Sequence, residues 1–133
     1  MTPAQKKTIT SVGYSLIRYC HLAAMKAGWH NDLDTGRSLT FAQQLERTPL
    51  RLCLIHSEIS EALEGYRKDK RDEHLPDRPN LEVELADAVI RIADLCGALG
   101  LDLGGAIAAK MEYNETRADH TPAHRQGAGG KKF

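Results

Sequence analysis

Residues 81–99 read LEVELADAVIRIADLCGAL, and their pattern decides the fold. Leu81, Val83, Leu85, Ala86, Ala88, Val89, Ile90, Ile92, Ala93, Leu95, Cys96 and Ala98 leave the segment apolar on nearly every side. That is the pattern of a helix buried in a core. Yet at ~100° per residue Glu84, Asp87, Arg91 and Asp94 fall within an arc of roughly 80°, so a polar stripe crosses the same helix. Ionised carboxylates buried without partners cost several kcal/mol each, so something must compensate them. Two compensators fit: an ion-pair ladder, with Arg91 answering Asp87 four residues earlier and Asp94 three later, or a divalent cation.

The preceding helical pattern, residues 56–67 (HSEISEALEGYR), supplies partners for the second option. Glu58 and Glu61 are three apart and share a face, beside an apolar arc of Ile55, Ile59, Ala62, Leu63 and Tyr66. Packed antiparallel, the two helices can bring four carboxylates to one cavity. Such hard oxygen donors suit Mg²⁺, with Mn²⁺ as a substitute, whereas zinc would call for His and Cys. Glu112 and Glu115 repeat the E-x-x-E spacing and read as solvated.

Outward from this pair the chain punctuates itself into helices. Thr2-Pro3-Ala4-Gln5 forms a capping box with proline at the first helical position, and Ile9, Val12, Leu16, Cys20, Ala23, Ala24 and Ala27 continue an apolar stripe towards Gly28. Gly13 is the weak point of that helix. Residues 29–40 are a connection, and 41–47 a short helical turn. Thr48-Pro49 starts the next helix, which runs to about Lys68. Asn80 caps the helix that ends at Gly100, and Asp102 caps a last one to about Ala118. The expected architecture is all-α: a single four-helix bundle over residues 1–118, then a glycine-rich flexible tail, 119–133.

Composition agrees with helices. Leu and Ala number 16 each against 3 Val and 7 Ile, which disfavours a β-rich or Rossmann fold. Eighteen Lys plus Arg cancel eighteen Asp plus Glu, so no nucleic-acid or membrane-surface partner is expected. No apolar run reaches the roughly 18 residues of a spanning helix, and the first residues lack a signal-peptide core. Three widely spaced cysteines, Cys20, Cys53 and Cys96, read as free thiols of a cytoplasmic protein.

With these motifs in view, the chain resembles the MazG-type all-α nucleoside triphosphate pyrophosphohydrolases. E-x-x-E at Glu58 and Glu61 precedes E-x-x-D at Glu84 and Asp87 by 22 intervening residues, and Lys110, Asn114 and Arg117 in KMEYNETR extend the likeness over residues 50–117. The resemblance implies Mg²⁺ ligation by Glu58, Glu61, Glu84 and Asp87, hydrolysis of a nucleoside triphosphate to monophosphate and pyrophosphate, and phosphate or sugar contacts from Lys110, Asn114 and Arg117. These three lie within roughly 60° on one helical face. Some relatives that hydrolyse dUTP carry a further glutamate, a candidate base, just before the first metal glutamate. Ser57 stands there in this chain, so the resemblance leaves the base open, and Glu61 is the candidate taken for it. Relatives generally assemble, and the small core adds to the expectation of a homo-dimer or homo-tetramer.

Other residues admit two readings. Trp29 can stack on a substrate base or simply pack, and His56 reads as a core histidine or a ligand. His74 and Arg78 can close over a nucleotide or belong to a plain connection; His124, Arg125, Lys131 and Lys132 suit phosphates. A di-iron bundle would need Glu-x-x-His on two helices, and an HD-type phosphohydrolase a His-Asp pair; neither motif occurs. The rival to an enzyme is a non-catalytic helical interaction module whose polar stripe is a structural buried ion-pair network.

Overall fold

The computed structural model describes residues 1–130, which are mostly helical and contain no strand. In chain order the elements are α1 (Pro3–Lys26), α2 (Phe41–Glu46), α3 (Thr48–Arg67), α4 (Asn80–Leu99) and α5 (Leu103–Thr116), then a 3-10 turn (Ala118–His120) and α6 (Pro122–Gln126). Lys131 and Lys132 lie outside the described residues, while His124 and Arg125 belong to α6. Among the described residues no single helix is long and apolar enough to cross a membrane.

The chain forms two compact units, Leu16–Leu101 and a second made of Met1–Ser15 with the chain from Asp102 onward. In the second unit the start of α1 packs on α5 through glycine. Gly13 is buried, and a Cβ there would stand 2.4 Å from the Cα of Gly104. The residue that reads as a weak point in the sequence is thus a close backbone crossing. Lys6 Nζ pairs with Glu112 at 2.7 Å, and the N-terminal amine with Glu115.

The larger unit is organised by α3 and α4. Gly65 meets Asn80 at one end and Glu58 meets Arg91 further along, so the helices run antiparallel. A Cβ on Gly65 would fall 1.9 Å from Asn80 Oδ1, so glycine permits this approach. The face of α3 that is buried carries Glu58, Ala62 and Gly65. This corrects the expected apolar arc, because Ile59, Leu63 and Tyr66 are 48%, 58% and 69% exposed. Helix α4 is likewise not covered all round: Ala88, Ala93, Leu95 and Cys96 are buried, but Leu85, Val89 and Ile90 are 44–46% exposed. His56 is exposed and is no core histidine.

Most caps follow the sequence. Thr2 and Gln5 exchange bonds of 2.8 and 3.2 Å, Gly100 takes the left-handed conformation after α4, and Asp102 accepts from Gly105 N at 2.8 Å. Two differ. Arg47 stays helical between α2 and α3, so Thr48 does not cap; its hydroxyl donates to the Gln44 carbonyl at 3.0 Å. Asn80 likewise makes no cap, because its amide is drawn to Glu84. A real capping box that the sequence reading passes over joins Thr40 and Gln43 at the start of α2.

Candidate metal centre

The α3–α4 crossing places one oxygen from each of Glu58, Glu84 and Asp87 within 4.8 Å of the others. Glu58 and Glu84 are buried, at 6% and 9% exposure. Their three-residue spacing sets Glu84 and Asp87 on one face of α4, and the small residues Ala62 and Gly65 of α3 let the backbones approach closely enough for Glu58 to join them. Glu61, exposed, lines the same cavity outside the tight trio, and its charge acts on Glu84.

Electrostatics within the cluster are divided. Arg91 Nε donates to Glu58 Oε1 at 2.6 Å, and Asn80 Nδ2 to Glu84 Oε1 at 2.7 Å. Arg91 thus bridges α4 to α3 and pairs with neither Asp87 nor Asp94, so the expected ladder along one helix does not form. Burial pushes the Glu84 carboxyl up, Glu61 and Glu58 push the same way, and the Asn80 bond opposes them.

The donor set fits a hard divalent ion. In a Mg²⁺ octahedron adjacent oxygens stand about 2.9 Å apart and opposite ones about 4.1 Å, and three ligands include at least two adjacent pairs, so the trio, with its oxygens within 4.8 Å of one another, has to draw in by up to about 2 Å to hold the ion. No nitrogen or sulfur belongs to it.

The loop between α3 and α4 closes one wall. An isolated bridge between Arg71 and Pro79 pinches its base, and Asp72 Oδ1 accepts from His74 N and Leu75 N at 3.0 and 2.7 Å. The Leu75 bond leads in holding the Asp72 carboxyl below its ordinary range. Lys70, Arg71 and His74 thereby line the carboxylate cavity, of about 630 Å³, beside Arg91. Sequence reading missed Lys70 and Arg71, since a charged loop run looks like any solvated connection. Arg78 instead pairs with Glu82 at 2.6 Å.

A second cavity, of about 450 Å³, shares Asp87 and Arg91 with the first. Trp29 stands in its wall, 73% exposed. Asp94 lies there too, and its Oδ1 receives His21 Nδ1 at 2.8 Å and His30 Nε2 at 2.7 Å. These three form a second group with metal-ligand geometry. The hydrogen bonds argue against a metal there. Arg51 Nη2 lies 3.2 Å from His30 Nδ1 and can only donate, so Nδ1 is the acceptor and Nε2 carries the hydrogen it gives to Asp94. Gln44 lies against the same Nδ1. No local motif marks this cluster, because His21 and His30 are more than 60 residues from Asp94.

Lys110, Asn114 and Arg117 lie in the other unit. Lys110 Nζ sits 4.7 Å from the Tyr113 ring centroid, and Asn114 Oδ1 is buried without a hydrogen-bond partner. Arg117 lies past the end of α5 in extended conformation, bonded to Asp119. It therefore does not continue the helical face of Lys110 and Asn114, contrary to the sequence expectation.

Comparison with protein-family models, with curated proteins and with solved structures found no match for this chain.

Proposed function

We propose that the protein is a Mg²⁺-dependent nucleoside triphosphate pyrophosphohydrolase of the MazG-like type, built as a four-helix bundle and yielding a nucleoside monophosphate and pyrophosphate. The observation that supports this reading most is the convergence of Glu58, Glu84 and Asp87 beside the three cationic side chains Lys70, Arg71 and Arg91, the mixture a metal–polyphosphate complex requires. Glu58, Glu84 and Asp87 would hold the cation, with Glu61 at its edge and Mn²⁺ as a substitute. When bound, the cation neutralises phosphate charge and lowers the pKa of a water.

The chain's own groups have definite tasks in this scheme. Water oxygen attacks the α-phosphorus, the bond to the α–β bridging oxygen breaks, and pyrophosphate leaves with that oxygen. Glu61, the least enclosed carboxylate of the four, takes the water's proton. Lys70, Arg71 and Arg91 meet phosphate oxygens from the cavity wall, and Trp29 offers its face to the base. Phosphate or sugar contacts from Lys110, Asn114 and Arg117 rest on the family resemblance alone.

The working form in this proposal is a homo-oligomer, a dimer or tetramer. No large side chain is fully buried among the described residues, and four of the seven buried apolar residues are alanines. Ile59, Leu63, Leu85 and Val89 are the residues a second copy would cover; each is about half exposed, so completing its burial is worth half of the roughly 1.5–3 kcal/mol of a full transfer. Light scattering at micromolar concentration should give a multiple of 14.7 kDa, and a 14.7 kDa particle would contradict it.

The Arg91–Glu58 pair is the observation that favours the rival, a non-catalytic interaction module. Incubation with nucleoside triphosphates, with Mg²⁺ and with EDTA, separates the two. The enzyme releases pyrophosphate only with the metal; the module releases none.

A further inference from the structure

Helix α4 starts without a side-chain cap, although its first residue is an asparagine. Pro79 takes the capping position and has no hydroxyl or amide to offer. Asn80 is a good capping residue by type, yet its side chain turns along the helix, where Nδ2 donates to Glu84 Oε1 at 2.7 Å. The bond acts on a buried carboxylate of the metal cluster.

The amide is itself held from several sides. Its Oδ1 lies against Gly65 of α3, 1.9 Å from where a Cβ would stand, so nitrogen is the atom that meets Glu84. Turned over, the amide would set Oδ1 against a carboxylate oxygen, two acceptors with no hydrogen between them. The backbone N–H of Asn80 donates to the Lys70 carbonyl at 3.0 Å, across the base of the loop between α3 and α4. Within that loop the Leu75 N–H leads in holding the Asp72 carboxyl low, and the Asn80 amide acts in the same direction. Asn80 is therefore fixed by α3 and by the loop, and Glu84 by Asn80.

Glu84 needs such a hold. Oxygens of Glu58 and Asp87 stand within 4.8 Å of its own, and a free carboxylate among like charges turns away from them or takes up a proton. Either change removes a ligand. The kind of donor matters too. Lysine or arginine in this place would neutralise Glu84 and compete with a cation, whereas an amide orients the carboxylate and leaves its charge intact. We propose that Asn80 is a positioning residue of the metal centre, whose amide holds the Glu84 carboxylate in place to bind a divalent cation. This rests on the pyrophosphohydrolase reading for the presence of the cation. Loss of a hydrogen-bond partner of a metal ligand weakens metal binding by roughly ten- to a hundredfold, and that is the effect expected here.

The experiment needs no catalysis. Mn²⁺ alone is the probe, and electron paramagnetic resonance counts the free ion as it is titrated into the protein. Wild type should bind, and a large loss of binding in Glu58→Gln marks the ion as that of the cluster. Asn80→Leu keeps a side chain of similar volume over Gly65 but has no donor, and its Kd for Mn²⁺ should rise by roughly ten- to a hundredfold. A merely structural role would lower the melting temperature in EDTA and leave the Kd of the folded protein where it was. Should the leucine variant not fold, Gly65→Ala displaces the amide from the other side, and the same rise in Kd is expected. An unchanged Kd in whichever of these variants folds overturns the role of Asn80 and leaves the metal centre standing. No Mn²⁺ binding by wild type, or binding that Glu58→Gln does not alter, overturns both the positioning role and the metal centre on which it rests.

Discussion

Replacing Glu84 by glutamine should make the metal-free protein more stable and the metal-loaded protein less so. Glu84 is buried with Glu58 and Asp87 within 4.8 Å, and at that distance two unit charges repel by about 3.5 kcal/mol at an effective dielectric constant of about 20. Arg91 on Glu58 and Asn80 on Glu84 offset most of this, so a net relief of about 1 kcal/mol is expected, or roughly 4 °C in Tm. Glutamine keeps the oxygen that Asn80 bonds and offers its amide hydrogens to the neighbouring carboxylates. The pH dependence has a definite sign. Because the folded Glu84 carboxyl is raised above its ordinary 4.5, the folded state holds a proton that the unfolded chain releases just above that pH. Wild-type stability in EDTA therefore falls as pH rises through that window, and the cost is fully present at neutral pH. The variant lacks this fall. With Mg²⁺ at 100 times its Kd the wild type gains about 2.7 kcal/mol, and the variant gains less, so the order of stabilities reverses. Melts at pH 5 and pH 7 in EDTA and in Mg²⁺ test this at one protein concentration. A variant that melts lower than wild type in EDTA at pH 7, with the same response to Mg²⁺, refutes the reasoning.

Asp87→Asn should cut turnover by about a hundredfold or more without loss of helical content, because it removes a charge from the trio but leaves the Arg91–Glu58 pair intact; near-normal turnover by steady-state assay would remove Asp87 from the site. Gly13→Ala should destabilise by about 1–3 kcal/mol in urea unfolding although helix propensity alone favours alanine by about 1 kcal/mol, since the new Cβ meets the Gly104 backbone; a more stable variant would refute that crossing. Thr40→Ala should cost about 1 kcal/mol through loss of the capping box with Gln43, and no change in the unfolding midpoint would show the cap to be immaterial.

Helix positions were legible because their punctuation is local. Thr2 with Gln5, Gly100 and Asp102 act within one turn of themselves, and the E-x-x-E and E-x-x-D spacings set side chains on one face whatever the helices pack against. What faces what was not legible. Ile59, Leu63 and Tyr66 form the apolar arc of α3, yet the face turned inward is Glu58, Ala62 and Gly65. Hydrophobic periodicity marks a face to be covered but does not say by which surface. Thr48 misled for a different reason: it carries a cap's side chain, but Arg47 is already helical, so the carbonyl of Gln44 takes its hydroxyl. Arg91 has two acids within reach on its own helix and chooses Glu58 on α3, a choice only the crossing of the helices reveals. Asp94 reads as the end of the same stripe, whereas its two histidines are brought to it by folding.

The central claim is tested most directly by chromatography of the products formed from each common deoxynucleoside and nucleoside triphosphate, with Mg²⁺ and with EDTA. The account predicts a nucleoside monophosphate and pyrophosphate in equal amounts, formed only with the metal and abolished by Glu58→Gln. Orthophosphate and a nucleoside diphosphate as first products, or no hydrolysis of any triphosphate with Mg²⁺, would contradict it.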